Sequence, residues 1–219
     1  MIEELLPPQV AAAEMREDDE SAYLFPEEAS GLSGAAVSRV KEFATTRTCA
    51  RHALQQLGCP ALPIGRGRNR EPIWPAGFVG SITHCRGYRA AAVAMQSDVI
   101  AIGIDSEPHV ELPPDILNQV AFGRERFFLE QVDRGIHWDR VLFSAKESIY
   151  KAWYPITGRW LGFEDVEVTF RSGESAFDVR LVVPPPIVDG RRIAEFSGRY
   201  MVRDDLLLTA VVLLAPTRP

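Results

Sequence analysis

Lysine is scarce in this chain. Of 24 lysines and arginines, only Lys41, Lys146 and Lys151 are lysine. Cysteine is sparse too. Cys49, Cys59 and Cys85 are odd in number and, like the four histidines, lack zinc-ligand spacing. They read as free thiols in a reducing compartment. No apolar run approaches the roughly 18 to 20 residues of a membrane span. The opening "MIEELLPPQV" has no basic region before an apolar one, so it does not read as a secretion signal. A net charge of −6 argues against a general nucleic-acid binder. There is no GxxxxGK[ST] phosphate loop and no GxSxG elbow, and "GRGR" is not a dinucleotide fingerprint. A cytoplasmic globular protein is expected. Its 219 residues and 46% hydrophobic content suffice for one large domain or two small ones packed together.

The charge that is present is unevenly placed. Residues 1–30 carry nine acids against Arg16 alone. Residues 39–89 carry nine bases (Arg39, Lys41, Arg47, Arg51, Arg66, Arg68, Arg70, Arg86 and Arg89) against Glu42 and Glu71. Such a block suits a compact polyanion, or it is a solvated surface balanced by the acidic N-terminus.

A helix is expected from Ala35 to Leu57, ended by Gly58 and Pro60. Arg47 and Arg51 fall four apart on it, where they repel mildly unless an anion lies between them. "LPIGRGRNREPIWPAGFVGS" reads as a loop. "SITHCRGYRAAAVAM" reads as two strands around Arg86-Gly87, and "VIAIGI" as a buried strand ending at Asp105-Ser106-Glu107-Pro108. Helical pieces follow between Pro113 and Ile136. "DRVLFSAKESIYKAW" reads as a strong helix, N-capped by Asp139 and stopped by Pro155. Its apolar stripe is Leu142, Ala145, Ile149, Ala152 and Trp153, opposite a polar face of Ser144, Glu147, Ser148 and Lys151. "VVPPPIVDG" reads as a loop, and the rest alternates as β, with a hairpin at Arg203-Asp204-Asp205. Hairpins and helices without sustained βαβ alternation indicate an α+β fold. Each half has a helix, then a hairpin whose second strand is an apolar run.

Three groups of residues invite a chemical reading. Asp105 and Glu107, two apart at a strand end, face one side and would be costly together without a cation. Oxygen ligands of this kind suit Mg²⁺, although on geometry alone a polar strand exit is the commoner explanation. Glu147 and Lys151 make either an ordinary surface pair or a site, and lysine's scarcity favours the site. His84, in "GSITHCRG" beside Arg86 and Arg89, is either a neutral core histidine or an anion ligand.

Together these segments resemble the 4′-phosphopantetheinyl transferases. That family's pattern is G-[IV]-D followed about forty residues on by [FW]-[SCT]-x-K-E-[AS]-x-x-K. Here "GIDSE" spans Gly103–Glu107 and "FSAKESIYK" spans Phe143–Lys151. "REPIWPAGFVGSITHC" is similar to the segment before the metal motif in long, monomeric members. The likeness covers roughly residues 40–165.

The resemblance implies two pseudo-symmetric α/β halves, residues 1–100 and 101–219, with the active site at their interface. It implies Mg²⁺ held by Asp105, Glu107 and Glu147 against the pyrophosphate of coenzyme A. Lys151 would contact that pyrophosphate, with Lys146 nearby. Arg47, Arg51, Arg70 and His84 would take the adenosine phosphates. The implied reaction is attack by a serine of an apo acyl or peptidyl carrier protein on the β-phosphorus, releasing adenosine 3′,5′-bisphosphate. Glu147 is the expected general base, with Glu107 as the alternative. Apolar residues from Phe122 to Leu129, with Arg124 and Arg126, are an expected docking surface for an acidic carrier, or core packing. Two other functions remain: a coenzyme A- or carrier-binding regulator without chemistry, and a Mg²⁺-dependent pyrophosphate-cleaving hydrolase.

Overall fold

A computed structural model describes residues 1–132, 135–171, 173–188 and 190–216. Asp133 and Arg134, in the expected helical stretch, and Asp189, in the expected loop, lie outside them.

The first half of the chain places one long helix on a three-stranded sheet. A 3-10 turn at Ile2–Leu5 leads to β1 (Val10–Met15), the short helix α1 (Pro26–Ala29) and α2 (Val37–Gln56). Strands β2 (Gly65–Arg66) and β3 (Pro72–Ile73) form a small hairpin within the stretch expected to be loop. Then β4 (Phe78–Cys85) and β5 (Tyr88–Met95) follow, turning at Gly87 with φ 78°. The sheet order is β1-β5-β4, all antiparallel. Small buried side chains on both surfaces, Cys49, Ala50 and Ala53 on α2 and Ala91 on β5, seat the helix close to the sheet. β1 was not foreseen: "VAAAEM" lacks the β-branched signal, and its strand state comes from pairing with β5.

The second half is a five-stranded antiparallel sheet carrying helices. β6 (Val99–Pro108) is followed by α3 (Pro114–Val120), α4 (Arg124–Gln131) and α5 (Trp138–Thr157). β7 (Val166–Arg171), β8 (Ala176–Leu181), the short pair β9 (Ile187–Val188) and β10 (Arg191–Arg192), β11 (Glu195–Arg203) and β12 (Leu206–Leu214) complete it. The sheet order is β6-β12-β11-β8-β7. The β11–β12 turn uses Asp204 and Asp205, both at positive φ, a backbone that aspartate tolerates better than most residues. The fold is α+β, and none of the described helices is long and apolar enough to cross a membrane.

Three expectations for α5 and β6 need correction. His137, not Asp139, occupies the α5 N-cap, while the Asp139 carboxylate accepts the Leu112 N–H at 2.6 Å. Pro155 does not stop α5. It sits in the last turn, where little ladder remains to disrupt, and the helix ends at left-handed Gly158. β6 also runs through Asp105 and Glu107 to Pro108, so both carboxylates lie inside a strand, opposite Thr209 and Leu207.

The two sheets meet where β4 runs beside β6 without joining its sheet. Hydroxyls bridge the seam: Ser81 Oγ accepts the Ile104 N–H at 3.1 Å, and Thr83 Oγ1 lies 3.0 Å from Ser106 Oγ. On the other side α5 presses onto β6 at Gly103. A Cβ there would stand 1.8 Å from the Ser148 carbonyl oxygen. The glycine of "GID" is therefore required by a backbone approach, which brings α5 side chains onto Asp105.

Candidate active site

A cavity of about 300 Å³ opens along the seam. One wall is a single face of α2, with Arg39, Glu42, Phe43, Thr46 and Arg47 at helical spacing. The β2–β3 hairpin contributes Arg66 and Arg70, β4 contributes His84, and α5 contributes Glu147, Tyr150, Lys151 and Tyr154. A hydrogen bond from Asn69 to the Tyr154 hydroxyl joins the hairpin to α5 across the mouth.

Arg47 is the most exceptional of these groups. It is 4% exposed, yet its Nε has no hydrogen-bond partner among the described residues. Its Nη2 reaches only the Gly65 carbonyl at 3.5 Å, and its guanidinium stacks 4.5 Å from the Phe43 ring centroid. Burial pushes its pKa down to about 10. A buried, under-bonded cation facing a cavity is suited to an anion from outside.

Asp105 anchors the other wall. It is 5% exposed and accepts from Lys151 Nζ at 2.7 Å, Ser144 Oγ at 2.8 Å and Thr83 Oγ1 at 3.4 Å. Lys151 also donates to the Ile104 carbonyl at 3.0 Å. Glu107 pairs with Arg140 at 3.0 Å, yet burial and then the Asp105 charge push it up to about 7. The same two causes, in the same order, raise Glu147. Glu147 and Tyr150 also border a second, larger cleft lined by Phe122, Trp160, Leu161 and Phe163.

The structure thus gathers Arg47, Arg70, His84, Glu147 and Lys151 around one cavity, with Asp105 bonded to Lys151 behind it. It places two expected ligands elsewhere. Arg51 is buried against Glu28 at 3.0 Å and also donates to the Tyr23 carbonyl. Lys146 has all three ammonium protons engaged, by Glu125, the Val120 carbonyl and the Phe163 carbonyl, each at 2.8 Å. Burial lowers its pKa, and no donor is left for a ligand. Ser144 and Ser148, expected on a polar face, are fully buried. Among the described residues no three His, Cys, Asp or Glu side chains gather as a metal site. Of the three expected metal ligands, Asp105 pairs with Lys151 and Glu107 with Arg140.

The acidic N-terminus explains part of the basic block. Glu20 pairs with Lys41, Glu28 with Arg51 and Asp18 with Arg89. Cavity residues Arg39 and Arg66 were named only as members of that block; the α2 face shared with Arg47 was the signal for Arg39. Nothing in the sequence singled out Arg140, which holds Glu107.

Sequence comparison points to the same chemistry. Residues 27–94 match the 4′-phosphopantetheinyl transferase N-terminal domain, and residues 101–181 match the 4′-phosphopantetheinyl transferase superfamily. The chain is 46% identical over 202 residues to the 4′-phosphopantetheinyl transferase Svp of Streptomyces mobaraensis, covering 91% of this chain and 82% of that one. It is 44% identical to the transferase Npt of Nocardia iowensis, covering 96% of this chain and 99% of that protein. It is 43% identical to the transferase PptT of Mycobacterium tuberculosis, with 93% and 92% covered. The enterobactin synthase component D of Salmonella typhi matches at 36% over 55% of this chain and 51% of its own. The chain belongs to the 4′-phosphopantetheinyl transferase family. Its reaction is the transfer of the phosphopantetheine arm of coenzyme A to a carrier protein.

Proposed function

We propose that the seam cavity holds the phosphates of coenzyme A and that Glu147 receives the proton of the attacking carrier serine. The observation that carries this is the position of Glu147. It borders both the cation-lined cavity and the apolar cleft, so a nucleophile arriving by the cleft meets a polyanion in the cavity. Arg47, Arg70 and His84, with Arg39 and Arg66, take the adenosine phosphates, and His84 with Arg39 receives the 3′-phosphate. Lys151 bonds the pyrophosphate.

The serine oxygen attacks the β-phosphorus in line, its proton passing to Glu147. The bond from the β-phosphorus to the bridging oxygen breaks, and adenosine 3′,5′-bisphosphate leaves. The raised pKa of Glu147, due to burial and Asp105, improves it as a base. Glu107 is less suited to that role, because Arg140 already holds its carboxylate.

Magnesium dependence belongs to this reading. Glu107 and Glu147 are raised first by burial and second by the Asp105 charge, and a hard cation among the three carboxylates would relieve that repulsion. Mg²⁺ needs only one or two carboxylates and takes the rest of its shell from water and phosphates, so a complete protein cage is not required. Asp105 and Glu107 would hold it, with Glu147 adjacent, and it would offset charge on the phosphate oxygens.

The partner is an apo acyl or peptidyl carrier protein of a siderophore or secondary-metabolite pathway. Exposed Phe122, Phe127 and Trp160 offer it an apolar surface, and Arg124 offers charge. Residues 1–100 and 101–219 act as two halves. A monomer suffices, since one chain supplies both walls. The three free cysteines fit the cytoplasm. The net charge of −6 fits a protein that does not bind nucleic acid. The test is the intact mass of an apo carrier after incubation with coenzyme A and Mg²⁺, with and without EDTA. One added phosphopantetheine, lost with EDTA, supports the reading. No addition with several carriers, despite coenzyme A binding, favours a binding module.

A further inference from the structure

An acidic side chain sits where the cavity should be most welcoming to phosphate. Glu42 lines the wall formed by α2. Its Oε1 accepts from Arg39 Nη1 and lies 2.7 Å from His84 Nε2. Arg39 Nη1 and His84 Nε2 are themselves 2.7 Å apart. One carboxylate oxygen thus lies against two of the cavity's anion-facing side chains at once, while Arg47 one turn further along has no carboxylate partner among the described residues.

We propose that Glu42 sets the affinity for the ligand's phosphomonoester and its release: it is an internal competitor that the phosphomonoester must displace from Arg39 and His84. The inference rests on the functional reading above. A phosphomonoester near neutral pH carries up to two charges and three acceptor oxygens, against one charge and two oxygens for the carboxylate. It can therefore take both side chains from Glu42. A ligand lacking that group leaves the triad intact and gains nothing from it. Displacement also leaves Glu42 beside the phosphate, a like-charge contact that weakens retention. The residue therefore lowers the affinity for both coenzyme A and adenosine 3′,5′-bisphosphate, and so speeds departure of the product. A group that merely held Arg39 and His84 in place would do the reverse: its removal would weaken binding.

The triad involves Arg39, Glu42 and His84; burial lowers the His84 pKa, the Glu42 charge opposes this, and the Arg39, Lys151 and Arg89 charges add to it. None of its direct contacts is an expected metal ligand. Arg39 and Glu42 fall three apart on α2, the spacing of an ordinary helix ion pair, and only His84 of β4 makes the arrangement unusual.

The experiment is calorimetric binding of coenzyme A, adenosine 3′,5′-bisphosphate and 3′-dephospho-coenzyme A to the full chain and its Glu42→Gln variant. Thermal melting of both would confirm that the variant is folded. The expected result is about three- to tenfold tighter binding of the two 3′-phosphorylated ligands by the variant. Dephospho-coenzyme A should change by less than about twofold, since only long-range charge is altered for it. A slower bisphosphate off-rate would accompany the change. Unchanged or weaker binding of coenzyme A to Glu42→Gln would overturn the inference, as would equal tightening of all three ligands. Failure of the unaltered chain to bind coenzyme A at all would instead overturn the functional reading on which it rests.

Discussion

Lys151 on α5 donates to Asp105 on β6 at 2.7 Å, and the contact exists because Gly103, two residues before the aspartate, lets the helix backbone approach the strand. A methyl group at position 103 would collide with backbone, which cannot swing aside as a side chain can. Gly103→Ala should therefore cost about 1–3 kcal/mol by overpacking and also lengthen the Lys151–Asp105 contact. Urea unfolding should show the loss, and transfer should fall even at temperatures where the variant is fully folded. An active variant of unchanged midpoint would show that the close approach is dispensable.

Lys146 and Lys151 should part company on mutation. Lys146 and Glu125 form a buried pair, so Lys146→Met strands a carboxylate that also caps the Phe122 and Val168 amides. Breaking such a pair costs about 3–5 kcal/mol, visible as a large drop in melting temperature. Lys151→Met leaves Asp105 with the Ser144 and Thr83 hydroxyls and the pair it breaks is partly solvent-exposed, so it should destabilise less than Lys146→Met, yet transfer at a small fraction of the unaltered rate while folded. If Lys146→Met were stable and inactive instead, Lys146 would belong to the site after all.

These two lysines also mark the limit of what the sequence discloses. Both stood out by residue type, and the motif that contains them was legible, as was the α+β class. Five positions apart on a helix, however, they lie on different faces. Which face meets the cavity depends on Glu125 and the 163 carbonyl, brought in from distant segments. Arg47 and Arg51 repeat the lesson. Their spacing allows a shared anion, but Glu28 from the acidic N-terminus closes over Arg51, while Arg47 Nε has no partner among the described residues. Pairings between segments this far apart leave no local pattern to read.

The two arginines give a paired prediction. Glu28 accepts from Arg51 and from the Phe25 and Ile64 amides, so Glu28→Gln should destabilise by about 3 kcal/mol or more. Arg47→Met should leave stability unchanged or raise it, because it removes an under-bonded buried cation, while coenzyme A affinity falls. Melting curves and calorimetry on both variants separate the effects. A strongly destabilised Arg47→Met would assign that residue to the scaffold.

The acid limb of stability should depend on Glu14. Burial pushes its pKa up, but hydrogen bonds from Tyr88, the Ile2 N–H and the terminal ammonium outweigh this and hold it below the usual carboxylate value. A lowered folded pKa contributes stability that is complete above the unfolded value, roughly pH 4.5, and is lost as pH falls through the folded one. Glu14→Gln should thus be less stable than the unaltered chain at pH 7, with the gap closing below about pH 4.5. A gap constant from pH 7 to pH 3 would contradict this.

The central claim is that Glu147, placed between the cationic cavity and the apolar cleft, performs chemistry and not merely binding. The most direct measurement is single-turnover transfer to an apo carrier protein by Glu147→Gln, with coenzyme A affinity measured in parallel. The account predicts a loss of about 10²-fold or more in the transfer step, with coenzyme A affinity within about threefold. Full-rate transfer by the variant would contradict it, and the proton would need another acceptor.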